Sequence, residues 1–130
     1  MTPILAALAA AVLVQIATLA LMALVANLEL GTRITLGPRD GKIPAVSPLL
    51  GRLMRATTNG FESLVLFAPA ALIAHLAGTT GALAETAAWG FVAARILYVP
   101  AYAAGLVPWR TVVWGLGLLA TLTLIGTSLI

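Results

Sequence analysis

Four long apolar segments constrain this chain more than any other feature of its sequence. At a rise of about 1.5 Å per residue, a helix of roughly 20 apolar residues crosses the roughly 30 Å hydrocarbon core of a membrane. The second segment reaches that length only if a polar lead-in belongs to the same helix. The segments run from Pro3 to Leu28, from Phe61 to Leu76 with an amphipathic lead-in from about Ser47, from Leu83 to Ala104, and from Trp109 to Ile130.

The composition indicates that these segments lie in a membrane. Hydrophobic residues make up 62% of the chain and charged residues 8%, with a mean hydropathy of +1.10. A soluble domain of this composition would expose most of its apolar surface to water. A cleaved signal peptide is the alternative for the first segment, but no Lys or Arg precedes it and its apolar run is too long. We therefore predict an all-α fold, with residues 1–130 forming one integral membrane domain, a four-helix bundle.

The basic residues predict the orientation of this bundle. Four of them lie between the first two segments, whereas the turn from Gly78 to Ala82 has none. Because cytoplasmic loops carry an excess of Lys and Arg, the first loop should be cytoplasmic and both termini should lie on the opposite side. Almost all cations thus sit at segment edges rather than in an exposed patch, which argues against nucleic acid as a partner. The Ala-rich and Leu-rich composition suits a bacterial inner membrane. The four loop cations are Arg33, Arg39, Lys42 and Arg52.

Several kinds of chemistry have no residues to support them. The chain has no cysteine, so a thiolate metal site and a cysteine nucleophile are excluded, and any thiol must come from a substrate. The single histidine, His75, stands apart from the carboxylates, and no glycine-rich phosphate loop is present. We expect no metal site. The scattered carboxylates are Glu29, Asp40, Glu62 and Glu85.

Polar side chains form a stripe on the second helix. Their spacings of three, four and three residues place them within an arc of roughly 80° on one helix face. The third helix carries a similar stripe of one cation and two phenols, with spacings of three and four residues. The first stripe consists of Arg52, Arg55, Asn59 and Glu62, and the second of Arg95, Tyr98 and Tyr102.

Charged groups at membrane depth need a partner or a hydrated cavity. We therefore expect Glu62 and Arg95 to face each other or a polar cavity. A structural ion pair between them is the simpler alternative, but it leaves most of the polar residues unexplained as a group. Their position near one membrane face indicates a site for an anionic, hydrogen-bonding ligand. By contrast, Gln15 on the first helix is predicted to hydrogen-bond across helices as part of the packing.

The two stripes resemble a known family. Arg-Ala-x-x-Asn-x-x-Glu from Arg55, Arg-x-x-Tyr-x-x-x-Tyr from Arg95, and an Arg at the start of the fourth helix are similar to the MAPEG superfamily, the membrane-associated proteins in eicosanoid and glutathione metabolism. The resemblance implies a homotrimer that binds glutathione as co-substrate between adjacent subunits near the cytoplasmic face. Thr58 and Trp114 differ from residues of some eicosanoid enzymes and favour a bacterial-type member.

The resemblance also implies roles for individual residues. Arg110 corresponds to the arginine that holds the thiolate in the eicosanoid synthases, and is the predicted catalytic residue. Arg52 matches a basic residue one turn before the second-helix motif. The predicted glutathione-binding residues are Arg52, Arg55, Asn59, Glu62, Arg95, Tyr98 and Tyr102.

The leading functional hypothesis is a membrane glutathione transferase or peroxidase acting on a lipophilic small molecule that enters from the bilayer. A non-catalytic trimer that binds membrane lipid or another anionic ligand is an alternative from a different class. A small proton-coupled exporter is a further alternative. Such an exporter needs an acidic residue within the membrane to bind the substrate cation and the proton, but the first helix has no carboxylate before Glu29 and the polar stripe is net cationic.

Overall fold

The computed structural model describes residues 1–130 as a bundle of four long helices with one short helix and no strand. All four long helices are long and apolar enough to cross a membrane. The predicted all-α four-helix membrane bundle is therefore confirmed. The helices are α1 (Pro3–Leu30), α2 (Thr32–Thr35), α3 (Pro48–Leu76), α4 (Ala82–Ala103) and α5 (Trp109–Ser128).

The polar lead-in of the second apolar segment is continuous with it. α3 has 29 residues and begins at Pro48, so its first turns carry the polar stripe. Pro at the first helical position has no N–H to leave unsatisfied, and Ser47 caps the helix by accepting from the Leu50 N–H at 3.1 Å. Only α2, a single turn after Gly31, was not predicted from the sequence.

The end of α1 is fastened to the start of α3. The carboxylate of Glu29 accepts hydrogen bonds from the backbone N–H of Ser47 and from its hydroxyl, the latter at 2.6 Å. We call this contact the Glu29 clasp. It joins the two ends of segment 31–46, and so places the start of the polar stripe of α3 beside the end of α1.

Small side chains pack the half of the bundle that contains the first turns of α1 and α4. The rings of Phe67 and Phe91 stack with centroids 3.9 Å apart and planes inclined by 3°. Alanines around them let the helix backbones approach closely, which is the usual basis of helix association in membranes. We call this region the alanine half. Its buried members include Ile4, Ala7, Ala11, Phe67, Ala70, Ala71, Ala74, Ala84, Ala88, Phe91 and Leu124.

The alanine half ends where α1 and α3 cross closely at Gln15 and Gly60. The carboxamide of Gln15 donates to the carbonyl of Thr57 at 3.0 Å, and the side chain is buried. Gly60 leaves room for it, because a Cβ at that position would lie 2.8 Å from Cδ of Gln15. The predicted packing role of Gln15 is confirmed.

Candidate functional site

Most of the predicted site residues converge at the other half of the bundle. Because consecutive long helices run antiparallel, the first turns of α3 and α5 meet the last turns of α4. This topology brings together residues that are far apart in the sequence. We call this region the arginine half, and its polar members are Arg52, Arg55, Asn59, Glu62, Arg95, Tyr98, Tyr102 and Arg110.

Tyr102 lies between two cations. The Nε of Arg55 donates to the hydroxyl of Tyr102 at 3.2 Å. The guanidinium carbon of Arg110 lies 4.9 Å from the centroid of the same ring, and that of Arg55 lies 5.9 Å from it. Arg55 is exposed and Arg110 is half-buried. Both guanidinium groups are therefore held by one phenol while they remain accessible to a ligand.

Arg95 is the buried cation of the site. Its side chain is only 6% exposed, and its Nη1 donates to Oδ1 of Asn59 at 3.1 Å and to Oγ of Ser63 at 3.3 Å. The guanidinium carbon lies 4.3 Å from the ring centroid of Tyr98. All of these partners are neutral, so the positive charge of Arg95 has no counter-ion among them.

The ion pair considered for Glu62 and Arg95 does not form within the protomer, since Arg95 bonds to Asn59 and Ser63 instead. The other expectation is confirmed in part, because both side chains line one cavity of about 210 Å³ between α3, α4 and α5, with polar groups on one side and apolar walls on the other. Ser63 was missed in the sequence. Its signal was the spacing of four residues from Asn59, which places both on one side of α3.

A second cleft borders Arg110 and shares part of its lining with this cavity. It has a volume of about 260 Å³ and is lined in part by Tyr98 and Tyr102, whose ring centroids are 5.5 Å apart. Asn59 and Trp114 line both spaces. A ligand that binds near Arg110 can therefore extend along Asn59 towards Arg95.

Arg52 is turned away from these clefts towards the α4–α5 turn. Its Nη1 donates to the carbonyl of Ala103 at 3.3 Å. Gly105 adopts a φ of +70°, and a Cβ there would lie 2.9 Å from Cζ of Arg52. A cation is favourable at a helix C-terminus, where carbonyl groups are unsatisfied. Arg52 thus supports the turn that leads into Arg110.

The charge of the arginine half is strongly positive. Its four guanidinium groups are accompanied by a single carboxylate, that of Glu62, which is exposed. In a membrane-embedded site of low dielectric constant, such an excess attracts anions.

Comparison with known families identifies the architecture. The model of the MAPEG family matches residues 7–130, nearly the whole chain. The chain belongs to the MAPEG family. A search of curated proteins and a search of solved structures each gave no match. At the level of the family, this is a multi-pass membrane protein related to glutathione metabolism.

Proposed function

We propose that this protein is a membrane-bound glutathione transferase or peroxidase that acts on a lipophilic electrophile. The main support is the pair of accessible cations around Tyr102. The cleft beside Tyr102 and Arg110 shares the lining residues Asn59 and Trp114 with a cavity lined by Arg95 and Glu62. Membership of the MAPEG family supports glutathione as the co-substrate.

The polar groups of the site match those of glutathione. The tripeptide has two carboxylates, one ammonium group and one thiol, so it needs cations, one anion and amide partners. Arg55 and Arg95 would pair with carboxylates, and Glu62 would accept from the ammonium group. Asn59 can donate and accept at once, which suits the peptide bonds of the ligand.

Arg110 would stabilise the thiolate. Lowering the pKa of a thiol from about 8.5 to about 6.5 requires on the order of 2.7 kcal/mol of preference for the anion. One well-placed guanidinium in a partly dry site supplies a preference of this size. Arg110 lies against the ring of Tyr102, which limits the positions that its side chain can take.

The acceptor would approach from the membrane. The cavity beside Arg95 has apolar walls contributed by Leu66, Phe91 and Leu118, so a lipophilic molecule can lie beside the thiolate. In a transfer reaction the thiolate would form a C–S bond as the leaving group departs with its electron pair. In a peroxidase reaction two glutathione molecules would reduce a hydroperoxide to an alcohol and water and form glutathione disulfide.

The same proposal includes a homotrimer with its first loop in the cytoplasm of a bacterial cell. Met54, Arg55, Thr58 and Glu62 border a wide cleft on the outer face of α3, which a second copy of the chain can cover. The family resemblance favours glutathione between adjacent subunits, and this open face is the part of the site that a neighbour would complete. The cations of segment 31–46 support the cytoplasmic orientation.

Calorimetry of glutathione binding to the detergent-purified protein tests the proposal. We expect binding in the micromolar-to-millimolar range that is lost in Arg55→Ala and in Glu62→Gln. Glu85→Gln is the matched control, because it removes a carboxylate at the opposite end of the bundle and should bind as the wild type does.

Two results would contradict the proposal. Absence of binding to the wild-type protein would remove glutathione as the ligand. Binding without turnover of any lipophilic electrophile or hydroperoxide would favour a non-catalytic MAPEG trimer.

A further inference from the structure

The segment between α1 and α3 contains a second cationic cleft, separate from the glutathione site. The cleft has a volume of about 220 Å³ and is lined by Arg33, Arg39 and Lys42 together with Gly37 and Gly41. None of these residues borders the cavities around Arg95 and Arg110. The proposed glutathione chemistry therefore leaves this cleft without a role.

The positive charge of this cleft is offset only in part within its own segment, which has three cations and one carboxylate. No carboxylate accepts a hydrogen bond from Arg33, Arg39 or Lys42, and all three side chains are exposed. Asp40 is the only acidic residue of the segment, and the carboxylate of Glu29 is already occupied by Ser47. Three cations around one small cleft therefore favour an anion of more than one charge or several acceptor oxygens.

The cleft lies at the boundary between membrane and water, because the segment joins two helices that each span the membrane. Apolar side chains flank the cations, and two of them are exposed: Leu36 by 83% and Ile43 by 55%. Apolar groups next to cations are typical of protein surfaces that enter the headgroup region of a bilayer.

The backbone gives the cleft a defined shape. Gly37 follows the single turn of α2, and a Cβ at this position would lie 2.6 Å from the carbonyl oxygen of Arg33. Any larger residue at position 37 must displace the backbone that carries Arg33. The turn at Gly37 thus places the three residues that carry the cations along one cleft.

We propose that this cleft binds the phosphate group of an anionic phospholipid. The guanidinium groups of Arg33 and Arg39 and the ammonium group of Lys42 would donate to the phosphate oxygens, while Leu36 and Ile43 lie against the upper acyl chains. The site does not depend on glutathione and uses none of the residues assigned to it.

Native mass spectrometry of the full-length protein, exchanged from detergent into mixed micelles, tests this inference. We expect phosphatidylglycerol to be retained at least about tenfold more strongly than phosphatidylcholine. This preference should weaken in Arg39→Gln and disappear in Arg39→Gln/Lys42→Gln. Adding Thr80→Lys to Arg39→Gln restores the net charge at the opposite end of the bundle and should not restore binding.

Gly37→Ala separates a shaped site from diffuse attraction, because it leaves every charge in place. We expect it to weaken phosphatidylglycerol binding several-fold, whereas Gly41→Ala, with no atom within 4 Å of the added Cβ, should bind as the wild type does. Equal binding by wild type and Gly37→Ala, or recovery by Thr80→Lys, would overturn the inference.

Inorganic phosphate distinguishes a lipid site from a site for soluble phosphate. Displacement of phosphatidylglycerol by millimolar phosphate, with no preference for lipid over phosphate, would overturn the assignment to phospholipid. Glutathione binding measured on the same variants should stay at the wild-type value, so a failure here is distinguishable from a failure of the proposed function.

Discussion

The two halves of this bundle are packed in opposite ways by the same four helices. In the alanine half, small side chains and one stacked phenylalanine pair bring the helices into direct contact. In the arginine half, the side chains are long and polar, and cavities of about 210 and 260 Å³ lie between the helices, the smaller one reaching Phe91 at the edge of the alanine half. Close packing at one end of the bundle thus allows the other end to remain open for a ligand.

Phe67→Ala should be the most damaging change to the alanine half. Loss of the stack on Phe91 leaves a cavity, and we expect a loss of about 3 kcal/mol in unfolding free energy, at the low end for buried Phe because lipid is itself apolar. Thermal unfolding in detergent measures the effect, with the exposed Phe61→Ala as control. If the folded Phe67→Ala variant showed a large change in glutathione affinity, the alanine half would not be independent of the site.

Arg110→Ala should affect activity and leave stability nearly unchanged. Loss of thiolate stabilisation of about 2.7 kcal/mol corresponds to an about 100-fold lower kcat/KM. Arg110→Lys keeps a positive charge and should recover part of the rate. The measurement is turnover of a lipophilic electrophile together with the unfolding temperature. A wild-type rate in Arg110→Ala would remove this residue from the chemistry.

Gly60→Ala tests the boundary between the halves. The added Cβ meets the carboxamide of Gln15, and we expect a loss of about 1–3 kcal/mol from overpacking. Gly90→Ala is the matched control, because no atom lies within 4 Å of its Cβ. Gln15→Ala should partly rescue Gly60→Ala. If Gly60→Ala and Gly90→Ala unfold at the same temperature, the α1–α3 crossing is less close than the structure shows.

Gly105→Ala should lower stability only slightly, and it should also affect the site. Gly78 has nearly the same backbone conformation, with a φ of +69°, and no neighbour within 4 Å of an added Cβ. Both Ala variants should lose about 1 kcal/mol through the left-handed backbone. Only Gly105→Ala displaces Arg52, so only it should lower kcat of the glutathione reaction, with KM for glutathione nearly unchanged. Equal kinetics in the two variants would mean that Arg52 does not position the turn.

The sequence predicts the helices well because hydropathy and length decide them. The observed spans begin and end within two residues of the predicted ones, and the polar lead-in proved to be the start of α3. The helical spacing also predicts which side of α3 each polar residue occupies. It does not predict the neighbour that each side chain meets, because that depends on how the helices cross.

Arg52 and Arg55 illustrate this limit. They are one turn apart in the same stripe, yet Arg55 bonds to Tyr102 and Arg52 bonds to the backbone at the end of α4. Likewise, Arg95 bonds to Asn59 and Ser63 rather than to the more obvious carboxylate of Glu62. The binding roles of these residues towards glutathione remain predictions.

The Glu29 clasp has a consequence for how the chain could be divided. Because Glu29 holds Ser47 directly, α1 and α3 stay in register at this end without help from the intervening backbone. A break within residues 31–46 would leave this contact and the packing of α1 on α3 and α4 in place, and these interactions would act against the entropy cost of bringing two separate pieces together in the membrane. Two co-expressed pieces, one carrying α1 and the other carrying α3 to α5, would therefore reassemble into the same bundle.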